Sequence, residues 1–274
     1  MTASWLQGRR RGSRSRSSAE RQTLSAAGRA GFSARGVVYV LIGALAVRIG
    51  LGSGAGSADR QGALAQVAAQ PFGKAMLWAL VVGFGGMALW RGARAIRGKG
   101  RKTPSRLLDG GRAVFYAAVC WATADYAAGG GQGSSGNKQS QDWTESALGL
   151  PYGQELVGAG GCLLIGIGVV LAVRAAMRRF LRQLDTGAMS RRTKQVVTVL
   201  GVVGGVARGA VFAAAGIFIL VAAVQFDPDE AKGVDATLRS FTETPAGPGL
   251  LVAVAIGLIL FGVFSFASAR WRRL

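Results

Sequence analysis

The sequence predicts an all-α, polytopic membrane protein: six transmembrane helices arranged as three two-helix repeats with pseudo-threefold symmetry. Three observations predict it. Apolar stretches about one bilayer long recur along the chain, Lys and Arg crowd into alternate polar segments, and short residue strings return three times. The 274 residues carry 33 Lys and Arg, 13 Asp and Glu and no His, a net charge of +20 on a half-apolar composition. A soluble globule covers its surface with charges of both signs, so this balance does not suit one. The missing His removes the commonest general base and metal ligand. Cys120 and Cys162, each inside an apolar run, read as small buried hydrophobes, and no Cys/His metal site can be assembled from them.

The apolar stretches cover about 34–52, 73–92, 110–128, 154–173, 206–225 and 249–268. Each approaches the ~20 residues that a helix needs to cross a bilayer core. Residues 156–173 and 244–269 hold no ionisable group, whereas the first and third stretches carry Arg48 and Asp125. An even number of spans puts both termini on one side.

The polar segments fall into two classes. The N-terminal tail to Arg35, the segments Arg91 to Arg112 and Arg174 to Arg208, and the C-terminal tail hold 27 cations against Glu20, Asp109 and Asp185. The remaining segments, with the spans, hold six cations and ten acids. The positive-inside rule then places both termini in the cytoplasm of a cell with this protein in its inner (plasma) membrane. The Arg/Ser tail could touch anionic lipid headgroups; the alternation of charge with every apolar run argues against nucleic acid as the main partner. No apolar core follows the first cations, so no cleavable signal peptide is expected.

Ala34-Arg35-Gly36-Val37-Val38-Tyr39, Gly111-Arg112-Ala113-Val114-Phe115-Tyr116 and Ala207-Arg208-Gly209-Ala210-Val211-Phe212 align, each opening an odd-numbered span. Pro71-Phe72-Gly73, Pro151-Tyr152-Gly153 and Pro245-Ala246-Gly247 align before the even-numbered spans. The chain thus divides into a basic tail at 1–26, expected to be disordered, and repeats at 27–98, 99–185 and 186–274. One, eight and fifteen residues after the repeated Arg stand Gly36, Gly43 and Gly50, then Ala113, Cys120 and Ala127, then Gly209, Gly216 and Ala223. A seven-residue spacing keeps these small residues on one stripe, so each odd span is expected to present a seam for close backbone approach.

These strings resemble a bacterial membrane family built from three tandem copies of the "domain of unknown function 1206". The resemblance covers about 28–274. It is carried by Ala34 to Tyr39, the run from Pro71-Phe72-Gly73 to Leu89-Trp90-Arg91, Phe180 to Asp185, Ala207-Arg208-Gly209 and the ending Ala269 to Arg273. The middle unit departs most, with a Gly/Ser-rich insert from Gly129 to Ser140. The resemblance implies a six-helix integral membrane protein and assigns no activity.

Candidate chemistry is sparse. Gly52, Gly54 and Gly56 lack the strand that a dinucleotide fingerprint needs before it and read as an outer loop. Asp227-Pro228-Asp229-Glu230 with Asp235 lacks the glycine position and closing acid of a calcium loop and reads as a solvated acidic loop. Ala63, Leu64, Val67 and Ala68, and Val234, Leu238 and Phe241, suit short helices on the outer face. Met177, Phe180, Leu181 and Leu184 have the spacing of an interfacial amphipathic helix.

Arg35, Arg112 and Arg208 are expected at the cytoplasmic membrane edge, as interface anchors or as a clamp for an anionic lipid headgroup. Arg48 and Asp125 lie equally far beyond Arg35 and Arg112, deep enough to be costly unless they snorkel, pair or serve a solute. No catalytic constellation and no cofactor motif is visible. The leading expectation is therefore a non-enzymatic structural or accessory subunit, with a possible protein partner in the membrane; a small-molecule or ion transporter or channel is the alternative, and an enzyme is disfavoured.

Overall fold

A computed structural model of the chain describes residues 4–52, 58–97, 103–129, 136–243 and 247–272, with side chains in the first helix from Gln22 onward. Among these, every regular element is helical: α1 (Ser4–Gly50), α2 (Arg60–Ala68), α3 (Gly73–Arg97), α4 (Thr103–Ala128), α5 (Gly136–Leu148), α6 (Gly153–Ala176), α7 (Arg191–Gln225), α8 (Val234–Ser240) and α9 (Gly247–Trp271). α1 begins well inside the tail for which composition predicts disorder. No proline interrupts it, and Arg, Leu and Gln are good helix formers. Gly54, Gly56, Pro245, Ala246 and residues 130–135 of the Gly/Ser-rich insert lie outside the described residues.

Among the described residues, five helices are long and apolar enough to cross a membrane, at Gln22–Gly50, Gly73–Ile96, Gly153–Ala176, Arg191–Gln225 and Gly247–Trp271. α4, which contains the remaining expected span, is 26 residues long but carries Arg106, Asp109, Arg112 and Asp125. Ahead of α3 and α6 the chain turns through Phe72 and Tyr152, both left-handed at φ 62°. In these turns Gly73 N–H donates to Gln70 O and Gly153 N–H to Leu150 O, each at 2.8 Å. A Cβ at Gly153 would stand 2.6 Å from Leu148 O, which only glycine avoids. The two aromatic rings are left exposed at the bundle's end, where interfacial aromatic residues serve as anchors.

Side by side the long helices run α4, α3, α1, α9, α7, α6. The interfaces are of two kinds. In the first, the small-residue stripe of an odd span meets the even span of another repeat. A Cβ would stand 3.0 Å from Gly262 O at Gly36, 2.7 Å from Ala255 O at Gly43 and 2.8 Å from a Val252 methyl at Gly50, all across the α1·α9 contact. Across α7·α6 it would stand 2.6 Å from Gly168 O at Gly209 and 2.7 Å from Ile165 N at Gly216. In α4·α3 the matching residue Cys120 donates its thiol to Val81 O at 3.3 Å. Backbones this close maximise dispersion contact, the main cohesion between helices in lipid.

The second kind joins the two helices of one repeat. In the first repeat a Cβ at Gly31 would stand 2.9 Å from Gly83 O, and one at Gly83 2.6 Å from the Ala34 methyl. The third repeat uses the same alignment: Gly204 lies under Phe261 and Gly257 against Ala207. In the second repeat the aligned positions hold Leu108 and Leu163, which are exposed, and α4 and α6 form no extended interface. Two branched side chains replace the glycines that let the other pairs meet.

At the end opposite the termini, α2, α5 and α8 lie over the bundle. Asp59 caps α2 through Gly62 N–H at 2.8 Å, and Ala63, Leu64, Val67 and Leu238 are buried. Asp235 ties the first and third repeats together, accepting from Ala58 N–H at 2.6 Å and from Arg239 Nε at 3.0 Å. In the acidic loop Asp227 accepts from Asp229 N–H at 2.9 Å. α5 forms within and beyond the insert that composition marks only as Gly/Ser-rich.

Two expectations need correction. Residues 177–184 form no amphipathic α-helix: Arg178 is left-handed at φ 54°, and a 3-10 helix, Arg179–Gln183, follows. This folds Phe180 edge-on to Phe264 at 4.9 Å and buries Leu184. Cys162 is exposed on α6 and not buried, because α6 spends its packing face on α7 through Gly161 and Gly168.

Candidate functional site

Six arginines gather at the end of the bundle that carries the C-terminus, and aromatic rings separate them. The Arg35 guanidinium lies 4.8 Å from the Phe32 ring centre and 5.1 Å from that of Phe261, and its Nε donates to Ser265 Oγ at 3.2 Å. Arg208 stacks 5.0 Å from Phe261, 5.1 Å from Phe212 and 5.6 Å from Tyr39. Arg272 lies 4.6 Å from Phe32 and donates to Gln183 Oε1. Arg91 and Arg94 each stand 4.7 Å from Trp90, whose ring meets Phe32 edge-on at 5.8 Å. The planar, weakly hydrated guanidinium suits such faces, and each contact is worth about 0.5–1 kcal/mol when exposed, rising to roughly 2 kcal/mol or more when desolvated.

Asp109 is the carboxylate of this cluster. It is buried and accepts from Arg91 at 2.7 Å, with Arg94 at 3.4 Å. Arg112 is exposed and stands within charge reach of Arg91 and Arg272. Burial, then the neighbouring Arg91, Arg35, Arg94 and Arg112, bring Arg272 down to about 9. Arg208 Nε is buried with no hydrogen-bond partner among the described residues. Among the described residues, the site therefore holds more positive charge than Asp109 matches.

Of the residues singled out by sequence, Arg35 and Arg208 come together on Phe261, and Arg112 faces outward from α4. Arg48 and Asp125 are both exposed, and no ion pair joins them. Gly36, Gly43, Gly50, Gly209 and Gly216 all lie in helix contacts. Thr123 is buried and donates to Val119 O of its own helix at 2.7 Å. Arg91, Asp109, Arg272 and Gln183 were not singled out. The aligned aromatics beside Arg35 and Arg208 were the available signal, but adjacency of α3 with α4 and of the C-terminus with 179–183 is a tertiary fact.

Comparison with known proteins bears on all three repeats. The family model described as Domain of Unknown Function (DUF1206) matches residues 30–98, 110–178 and 203–272. The chain is 29% identical over 253 residues to "Uncharacterized protein YxxB" of Bacillus subtilis (strain 168), covering 90% of each chain. No solved structure matches. With three tandem matches spanning most of its length and several helices apolar enough for a bilayer, this membrane protein belongs to the DUF1206 family.

Proposed function

We propose that the protein is a non-enzymatic accessory subunit of an inner-membrane assembly, and that a partner's transmembrane helix occupies the open seam of its second repeat. The observation carrying this reading is the substitution of Leu108 and Leu163 for the paired glycines that close the first and third repeats. Leu108 on α4 and Leu163 on α6, with Ile167 in the position of Met87 and Phe261, remain exposed. These exposed apolar side chains on α4 and α6, the two helices at the ends of the row, form the face that a partner helix would cover.

The reading takes α4 as a sixth span. It is as long as its neighbours, about 39 Å at 1.5 Å per residue, and packs beside α3 in the same layer. The three equivalent stripe contacts support a pseudo-threefold arrangement, and the charge asymmetry supports cytoplasmic termini. A transporter or channel has less support, since Arg48 and Asp125 lie on the surface and Thr123 bonds to its own helix.

The test is a photoreactive residue at Ile167 in native membranes, with Leu89 as an exposed control elsewhere. A single protein adduct from Ile167, absent from Leu89 and lost in Leu108→Gly/Leu163→Gly, is expected. Lipid adducts alone, or the same adducts from both positions, would overturn the reading.

A further inference from the structure

A second feature lies on the other side of the basic end. A half-open cavity of about 130 Å³ is lined by the end of α6, the 3-10 turn after it, α7 and α9. Its polar lining is Arg174, Arg179, Gln183 and Arg208, and its apolar wall includes Phe180, Phe261 and Phe264. No carboxylate lines it. Three arginines thus line a small space with no carboxylate among its lining residues, Arg174 and Arg179 exposed at its edge and Arg208 half-buried.

The individual groups point the same way. Arg208 lines the cavity, its guanidinium plane held by the rings of Phe212 and Phe261. Gln183 Oε1 is occupied by Arg272, which leaves the Gln183 amide hydrogens as donors. The turn exists because Arg178 takes a left-handed conformation, and it places Arg179 and Gln183 over the cavity mouth. All these polar groups donate. Several planar guanidinium forks suit an anion with three or more oxygens around a tetrahedral centre better than a planar carboxylate.

We propose that this cavity binds a phosphate group, presented either by a phospholipid headgroup or by a soluble phosphate compound. The site is built from Arg174, Arg179, Gln183 and Arg208, and the surrounding arginines raise its local potential. It is separate from the exposed α4 and α6 face, so either assignment stands or falls without the other.

The experiment uses the full chain in an uncharged, phosphate-free maltoside detergent, titrated separately with inorganic phosphate and with dioctanoyl phosphatidylglycerol, against sodium chloride at equal ionic strength. Saturable binding of one of them, read as a rise in Tm and by calorimetry, is expected. Binding of the lipid alone assigns the headgroup, and binding of inorganic phosphate assigns the soluble source. Arg174→Gln/Arg179→Gln, at two exposed positions that folding tolerates, should weaken that binding at least about tenfold, the effect of roughly 1.4 kcal/mol. Arg208→Gln should weaken it further where the variant folds. Absence of binding by both probes, or equal affinity in the wild type and the Arg174→Gln/Arg179→Gln variant, would overturn the proposal.

Discussion

Arg35 of the first repeat and Arg208 of the third stack on one ring, their guanidinium carbons 5.1 and 5.0 Å from the centre of Phe261. Two like charges so placed repel, and their contacts with the one ring, with the Arg35–Ser265 hydrogen bond, offset part of that repulsion.

Phe261 is therefore expected to be worth more than its volume. Phe261→Leu removes two cation–π contacts and part of a buried ring, at about 2–4 kcal/mol. A Tm in detergent within a degree of the wild type would contradict this.

The small-residue stripe makes a sharper comparison. Gly43→Leu and Gly216→Leu place side-chain atoms where Ala255 O and Ile165 N already stand 2.7 Å away, and overpacking costs about 1–3 kcal/mol. Gly160→Leu and Gly166→Leu, which meet nothing within 4 Å, should be close to neutral. Thermal unfolding of the four variants in one detergent checks the ordering.

Topology is tested by cysteines in a background without the native thiols. Gln70→Cys, Gln139→Cys and Asp229→Cys, all exposed, should react with an impermeant reagent in intact cells, and Arg191→Cys should not. Protection of any two of the first three would remove the six-span arrangement.

Arg272 predicts a pH dependence with a definite sign. Its folded-state pKa, about 9, lies well below the ordinary arginine value, so between the two the unfolded chain holds the proton more often. Stability from this group therefore rises with pH from about 9 toward the ordinary arginine range. Arg272→Gln should flatten that rise in unfolding curves collected from pH 8 to 11.

Much of the architecture was legible because membranes impose coarse rules. Apolar length marked the helices, and the seven-residue recurrence of Gly36, Gly43 and Gly50 marked the α1 face that meets α9. The second glycine set was equally present in the sequence at Gly31, Gly83, Gly204 and Gly257, but its meaning depends on which helices adjoin. The Arg179–Gln183 turn was hidden because a single left-handed residue, Arg178, overrides an apolar spacing that suits an α-helix. The Arg91–Asp109 pair was hidden for another reason: both residues read as ordinary members of a basic loop until α3 and α4 bring them together and bury them.

The open second repeat is the central claim, and disulfide formation in native membranes tests it directly. Val81→Cys beside native Cys120, whose sulfur lies 3.3 Å from Val81 O, reports the closed α3·α4 contact. Leu108→Cys/Ile167→Cys, in a chain without native thiols, reports the α4/α6 seam at the positions that in the third repeat bring Gly204 against Phe261. Under one mild oxidant the account predicts a disulfide in the first pair and none in the second. Equally rapid disulfide formation by Leu108→Cys/Ile167→Cys would mean that α4 and α6 meet as the other repeats do, leaving no open face for a partner.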